Sequence, residues 1–143
     1  MTANEFHPLG KEKFLNIIDD PFLCISYSQY GEDTLIAEFL RNKTFVNRSQ
    51  FYIDIGAYHP TIYSNTKLLR HLGWRGINID PNPDAIALFN KSRSDDVNLN
   101  IGISSNKNSL NLYCFQEGSL NTFDKKAAEN LVRNGSVFLG TRK

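Results

Sequence analysis

Hydrophobic positions along the chain fall into two patterns, short β-branched or aromatic runs and longer stretches at helical spacing. Phe14, Ile17 and Ile18 are spaced as on a short helix over residues 10–18. Asp19-Asp20-Pro21 should stop it, because a residue before proline is pushed out of the α region. Leu35, Ile36, Phe39 and Leu40 predict a second helix, capped by Ser28 and running to about residue 41, with Glu32 and Asp33 at its positive end. Together these make a helical N-terminal segment over residues 1–45, and the polar stretch 42–50 reads as a connecting loop. Residues 51–55 form the first strand. Their near-continuous apolar character predicts a strand covered on both faces.

Ser64 can cap a helix over residues 65–72 that turns Leu68, Leu69 and Leu72 inward, with Gly73 as its C-terminal cap. Residues 76–80 are a second strand. Asn82 as N-cap and Pro83 at the first helical position start a helix to about residue 92, burying Ala85, Ile86 and Phe89. A third strand is expected over residues 97–103, a turn over 104–109, and a fourth strand over 110–115 that pairs antiparallel with the third across that short connection. Residues 124–134 read as a helix and 136–139 as the start of another strand. The order β-α-β-α-β places at least three strands in one parallel sheet with right-handed crossovers. The fold expected is a single α/β domain over residues 1–143, a Rossmann-like sheet with helices on both faces and four or five strands.

Composition adds exclusions. At 143 residues with 41% hydrophobic and 22% charged residues, the chain is long enough for one cored domain. A net charge of +1 gives no strong field for nucleic acid or an anionic membrane. No apolar run approaches the roughly 20 residues a membrane helix needs, and residues 1–8 lack a signal-peptide layout. Cys24 and Cys114 lie far apart without metal-type spacing, so both are expected to be buried thiols in a reducing, cytoplasmic setting. No metal site is expected.

The chemistry concentrates at two strand ends. Gly56 ends the first strand, where a ligand can lie against bare backbone; a tight turn alone would use the same glycine. Neither the three glycines of a dinucleotide fingerprint nor a Walker-type G-K-[ST] ending is present, which argues against a diphosphate. Asp80 ends the second strand, where a carboxylate accepts both hydroxyls of a ribose; the plainer alternative is a solvated acid. Asp54, within the first strand, needs a partner, either a cationic ligand group or a backbone N–H. These features favour a nucleoside ligand without a diphosphate, the shape of S-adenosylmethionine.

Several segments in register sharpen this. Ser28-Gln29-Tyr30-Gly31-Glu32-Asp33, Asp54-Ile55-Gly56-Ala57, Ser64-Asn65-Thr66, and Gly73-Trp74-Arg75-Gly76 continuing to Ile79-Asp80-Pro81-Asn82-Pro83 resemble the FkbM family of S-adenosylmethionine-dependent methyltransferases. So do residues 97–104 and Leu120-Asn121-Thr122-Phe123-Asp124. The resemblance implies that Asp54, Gly56 and Ala57 line the methionine part of the cofactor and that Asp80 holds its ribose. It sets Asn100, Ile101 and Gly102 at the wall of the adenine pocket, Gln29 over the cofactor, and Asn65 in support of the first turn. Capping or turn roles explain Gln29 and Asn65 equally well.

The family pattern continues with an acid-x-acid-Gly strand motif that nothing after Asp124 matches, so an incomplete sheet, truncated at its C-terminal side, is expected. Of the acid–base groups nearby, His59 is the candidate catalytic residue, with a surface-loop role as its alternative. The expected function is methyl transfer to a hydroxyl of a small metabolite or sugar, with a small-molecule acceptor and no nucleic-acid or membrane partner. Two other readings stand beside it: a non-catalytic nucleotide-binding remnant, and an NAD-type oxidoreductase domain.

Overall fold

In the computed structural model, residues 24–41, 50–105 and 109–143 are described. The helix expected over residues 10–18 and nearly all of the loop at 42–50 lie outside them. The described elements are α1 (Glu32–Arg41), β1 (Phe51–Ile55), α2 (Lys67–His71), β2 (Arg75–Ile79), α3 (Pro83–Ser92), β3 (Val97–Leu99), β4 (Leu112–Phe115), a 3₁₀ turn (Gly118–Leu120), α4 (Lys125–Arg133) and β5 (Phe138–Arg142). The architecture is mixed α/β. β1, β2 and β3 form a parallel sheet in that order, and β4 and β5 form a separate antiparallel pair.

The parallel register puts Phe51, Ile53 and Ile55 opposite Arg75, Ile77 and Ile79, with Asp54 opposite Asn78. One sheet face therefore carries Tyr52, Asp54, Gly76, Asn78 and Asn98, and the other carries the isoleucines and Val97. The first face is packed, but by a polar network. Arg93, just past α3, is 2% exposed and donates to the Tyr52 hydroxyl (3.2 Å), the Thr66 hydroxyl (2.9 Å), the Ser64 hydroxyl (3.0 Å) and the Pro60 carbonyl. Its guanidinium also lies over the Phe89 ring, 5.1 Å from the centroid. Asp96 accepts from Tyr52 Oη (2.6 Å), Gly76 N (3.1 Å) and Asn78 Nδ2 (3.3 Å). On the second face, Phe51, Ile53 and Ile55 are 50%, 60% and 62% exposed. So β1, expected to be covered on both faces, is covered on one among the described residues. Its alternation was hidden because Tyr52 joins the polar network through its hydroxyl while adding to the apolar run.

Long-range bonds account for further corrections. β3 ends at Leu99, four residues early: the Leu99 carbonyl still accepts from Asp80 N (3.1 Å), but Asn100 meets the Asp80 carbonyl with its side-chain amide (3.0 Å). β4 pairs with β5, not with β3. α2 begins at Lys67 without a side-chain cap, since Ser64 is spent on Arg93. Gly73, at φ +93°, closes α2 as expected, its N–H reaching Arg70 O and Trp74 N reaching Leu69 O. α3 has the expected Asn82 cap and buries Ala85, Ile86 and Phe89. On α1, Leu35 and Phe39 are 72% and 59% exposed, contrary to expectation. The buried residue there is Asp33, which accepts from Ser26 Oγ, Tyr27 N, Ser28 Oγ and Thr34 N. Burial alone pushes its carboxyl up, but these bonds outweigh it and hold it below its ordinary value. Cys114 is buried, whereas Cys24 is exposed.

Arg93→Met removes the only common partner of Tyr52, Ser64, Thr66 and Pro60 among the described residues. It should cost roughly 3 kcal/mol, the scale for breaking a buried charged network. A lower urea midpoint with unchanged slope is the expected result.

Candidate functional site

Two backbone ladders meet where β1 and β2 end. Gly56 N and Ala57 N both donate to Ile79 O (2.9 and 3.1 Å), so the first turn folds over the end of β2. Gly56 has φ +74°, a region glycine enters freely, and nothing lies within 4 Å of where a Cβ would stand. Its backbone surface is open. Asp80 follows directly, 8% exposed. Its Oδ2 accepts from Tyr58 N (2.9 Å), its Oδ1 from Asn82 N (2.8 Å), and its carbonyl from Asn100 Nδ2 (3.0 Å). Each carboxylate oxygen retains accepting capacity beyond these bonds.

A cavity of about 250 Å³ opens above these strand ends, with Gly56, Asp80 and Ile101 in its lining. A second, of about 520 Å³, is lined by Asn100, Ile101 and Gly102; the two share Pro81, Ile101, Leu112 and Phe123 as walls. Five of the sequence-predicted residues thus gather here: Gly56, Asp80, Asn100, Ile101 and Gly102. Asp54, Ala57, Gln29 and Asn65 line neither cavity. Ala57 is buried under the turn at 4% exposure, and Gln29 and Asn65 are exposed, Gln29 Nε2 donating to the Tyr30 hydroxyl at 3.4 Å. Asp54 finds its partner inside the fold. Its Oδ2 accepts from the Thr66 hydroxyl (2.8 Å), which in turn accepts from Arg93. Burial raises the Asp54 carboxyl above its ordinary value, with Thr66 and the Arg93 charge opposing and the Asp80 charge adding.

Residues 54–140 match the model of the methyltransferase FkbM domain. The chain belongs to the FkbM methyltransferase family. Comparison with curated proteins and with solved structures yields no match. Within the FkbM match lie all the candidate residues except Gln29.

The FkbM turn also carries two residues whose roles the sequence did not reveal. Tyr58 and Tyr63 both adopt φ +54°, a strained region for bulky side chains, and their rings stack 6.2 Å apart. The Tyr58 hydroxyl donates to Glu117 Oε1 (2.9 Å), which also accepts from Ser119 Oγ (2.9 Å). This clasp joins the turn after β1 to the 3₁₀ segment across the first cavity. Burial first, then Glu117, push the Tyr58 phenol up to about 12. His59, the candidate base, has Nδ1 accepting from both Thr61 N and Ile62 N (3.0 Å each). Its lone pair is committed to shaping the loop, and its proton sits on Nε2. Among the described residues no cluster of His, Cys, Asp or Glu could hold a metal, and no helix is long and apolar enough to cross a membrane.

Burial, and then the Arg93 charge, lower the His59 pKa, so the fold favours the neutral ring. Above the unfolded value of about 6.5 this costs nothing; as pH falls below it, the unfolded chain takes the proton more readily and stability drops. Thermal melts from pH 7.5 to 5 should therefore show a steeper loss for the parent than for His59→Asn. Parallel curves would contradict this.

Proposed function

We propose that this chain binds S-adenosylmethionine at the ends of β1 and β2, as the cofactor half of a Rossmann-like methyltransferase sheet. It serves methyl transfer to a hydroxyl of a small metabolite or sugar. The observation that carries the reading is the Asp80 carboxylate: buried, held by two backbone N–H groups, and lining a cavity beside the open backbone of Gly56. A carboxylate fixed this way is ready to accept two vicinal hydroxyls without reorganising. The lone glycine lets the rest of a nucleoside lie on the turn, and the apolar walls Ile101 and Phe123 suit a base in place of a second phosphate.

The cofactor supplies a methyl group on a sulfonium, already activated for attack. The chain's residues bind and orient. Asp80 takes the ribose, Asn100 Nδ2 holds the Asp80 backbone, and Gly56 gives close approach. Alignment of an acceptor with the methyl carbon supplies much of the rate in such a reaction, so the positions of these groups matter more than any one acid or base.

A second reading, nucleotide binding without turnover, has a specific observation in its favour. His59 Nδ1 is occupied by two backbone donors, and Tyr58, raised to about 12, stays protonated at neutral pH. Neither acts as a base in this arrangement. An oxidoreductase reading is disfavoured by the single glycine at the turn.

Calorimetric titration with S-adenosylhomocysteine and with NAD separates these readings. The chain should bind the first and not the second. Asp80→Ala should weaken binding at least about tenfold, since hydrogen bonds to a charged acceptor are worth roughly 1.5–3 kcal/mol each. Asp80→Asn, which keeps the side-chain shape, guards against loss of fold. Preference for NAD, or unchanged affinity in both folded variants, would refute the ribose role.

A further inference from the structure

Asp80 and Gly56 give the cofactor site its polar side and leave its apolar wall unexplained. Phe123 is half-exposed and lines both cavities, separating the space above Asp80 from the space beside Asn100. Its ring lies against the backbone at Gly102. A Cβ built at Gly102 would stand 2.6 Å from Phe123 Cζ and 3.1 Å from Cε2. Gly102 has no positive φ in the range that demands glycine, so what a side chain there would meet is the end of this ring, which would have to shift to admit it. The ring is not carried on a loose loop. Thr122 exchanges both backbone bonds with Tyr113 (2.8 and 3.1 Å), and Asp124 caps α4 by accepting from Lys126 N and Ala127 N. Residue 123 is thus fixed between a β-bridge and a helix start.

An aromatic ring on a backbone fixed in this way, partly open and lining the same cavity as the Asp80 carboxylate, offers a flat apolar face beside a hydroxyl-binding group. Ile101, 47% exposed, lines the same two spaces. Building on the S-adenosylmethionine reading, we propose that Phe123 is the platform on which the ligand's heteroaromatic base stacks. Gly102 is present so that the ring can occupy that position. Stacking of a base on an aromatic side chain depends on the π-face and tolerates differences in edge chemistry, so this residue selects for a planar base as such. Asp80 then selects for the ribose. The two chemistries come from different parts of the chain, the parallel sheet and the segment between β4 and α4.

The test is a titration with S-adenosylhomocysteine of the parent chain and five variants, each checked for folding by its thermal melt. Phe123→Leu keeps apolar bulk without a π-face and should weaken binding about tenfold, the scale of one stacking contact. Phe123→His, which keeps a planar ring and adds no atom at the end that meets Gly102, should retain more affinity than Phe123→Leu, an order that a purely space-filling role would not give. Gly102→Ala should weaken binding by displacing the ring, and adding it to Phe123→Leu should produce less further loss than it does alone. Parental affinity in folded Phe123→Leu, with Asp80→Asn still weakened, would overturn the platform and leave the ribose assignment standing. No binding by the parent chain would overturn both.

Discussion

The carboxylate of Asp80 sits between two backbone N–H groups, one from the turn after β1 and one from the turn after β2. That pair of hydrogen bonds from the backbone is the constraint on which the site depends. Tyr58 makes its bond to the carboxylate from a left-handed conformation, at φ +54°. The pair leaves the carboxylate facing the cavity. A buried acid is tolerated only when its charge is answered, and here the answer is the backbone itself. The clasp reaches further through Asn100, whose amide holds the Asp80 carbonyl, so the end of the third strand is tied to the same point.

Beneath this clasp lies a second polar organiser. Arg93 gathers Tyr52, Ser64, Thr66 and Pro60, and through the Thr66 hydroxyl it reaches Asp54. The long excursion from Ala57 to Thr66 owes its shape to this guanidinium below and to the Tyr58–Glu117 clasp beside it. The packed face of the parallel sheet is therefore specified by directional bonds more than by apolar filling.

Much of this organisation was legible in the sequence where the determining signal is local. Asn82 before Pro83, Gly73 after α2, and the paired strands ending in Gly56 and Asp80 each act within a few residues. The rest was set by partners distant in the chain. Ser64 looked like a helix cap because nothing local shows that Arg93, 29 residues on, claims its hydroxyl. Asp54 looked as if it waited for a ligand because Thr66 is invisible as its donor until β1 and α2 are placed. The fourth strand seemed bound to the third because short connections favour hairpins, whereas β5, separated from β4 by 22 residues, took that place. Among the candidate site residues, Gly56, Asp80, Asn100, Ile101 and Gly102 converge because they end strands of one sheet. Gln29 and Asn65, assigned by resemblance alone, do not join them.

Whether the doubly held Asp80 carboxylate receives a ribose can be read at its two donors. The amides of Tyr58 and Asn82 report on it directly in a ¹H–¹⁵N titration. With S-adenosylhomocysteine, both amide resonances should shift together as the hydroxyls join the carboxylate. With the 2′,3′-dideoxy analogue at matched saturation, they should stay near their free positions. Equal shifts with both ligands, or ligand-induced shifts that leave Tyr58 and Asn82 untouched, would contradict a ribose on Asp80.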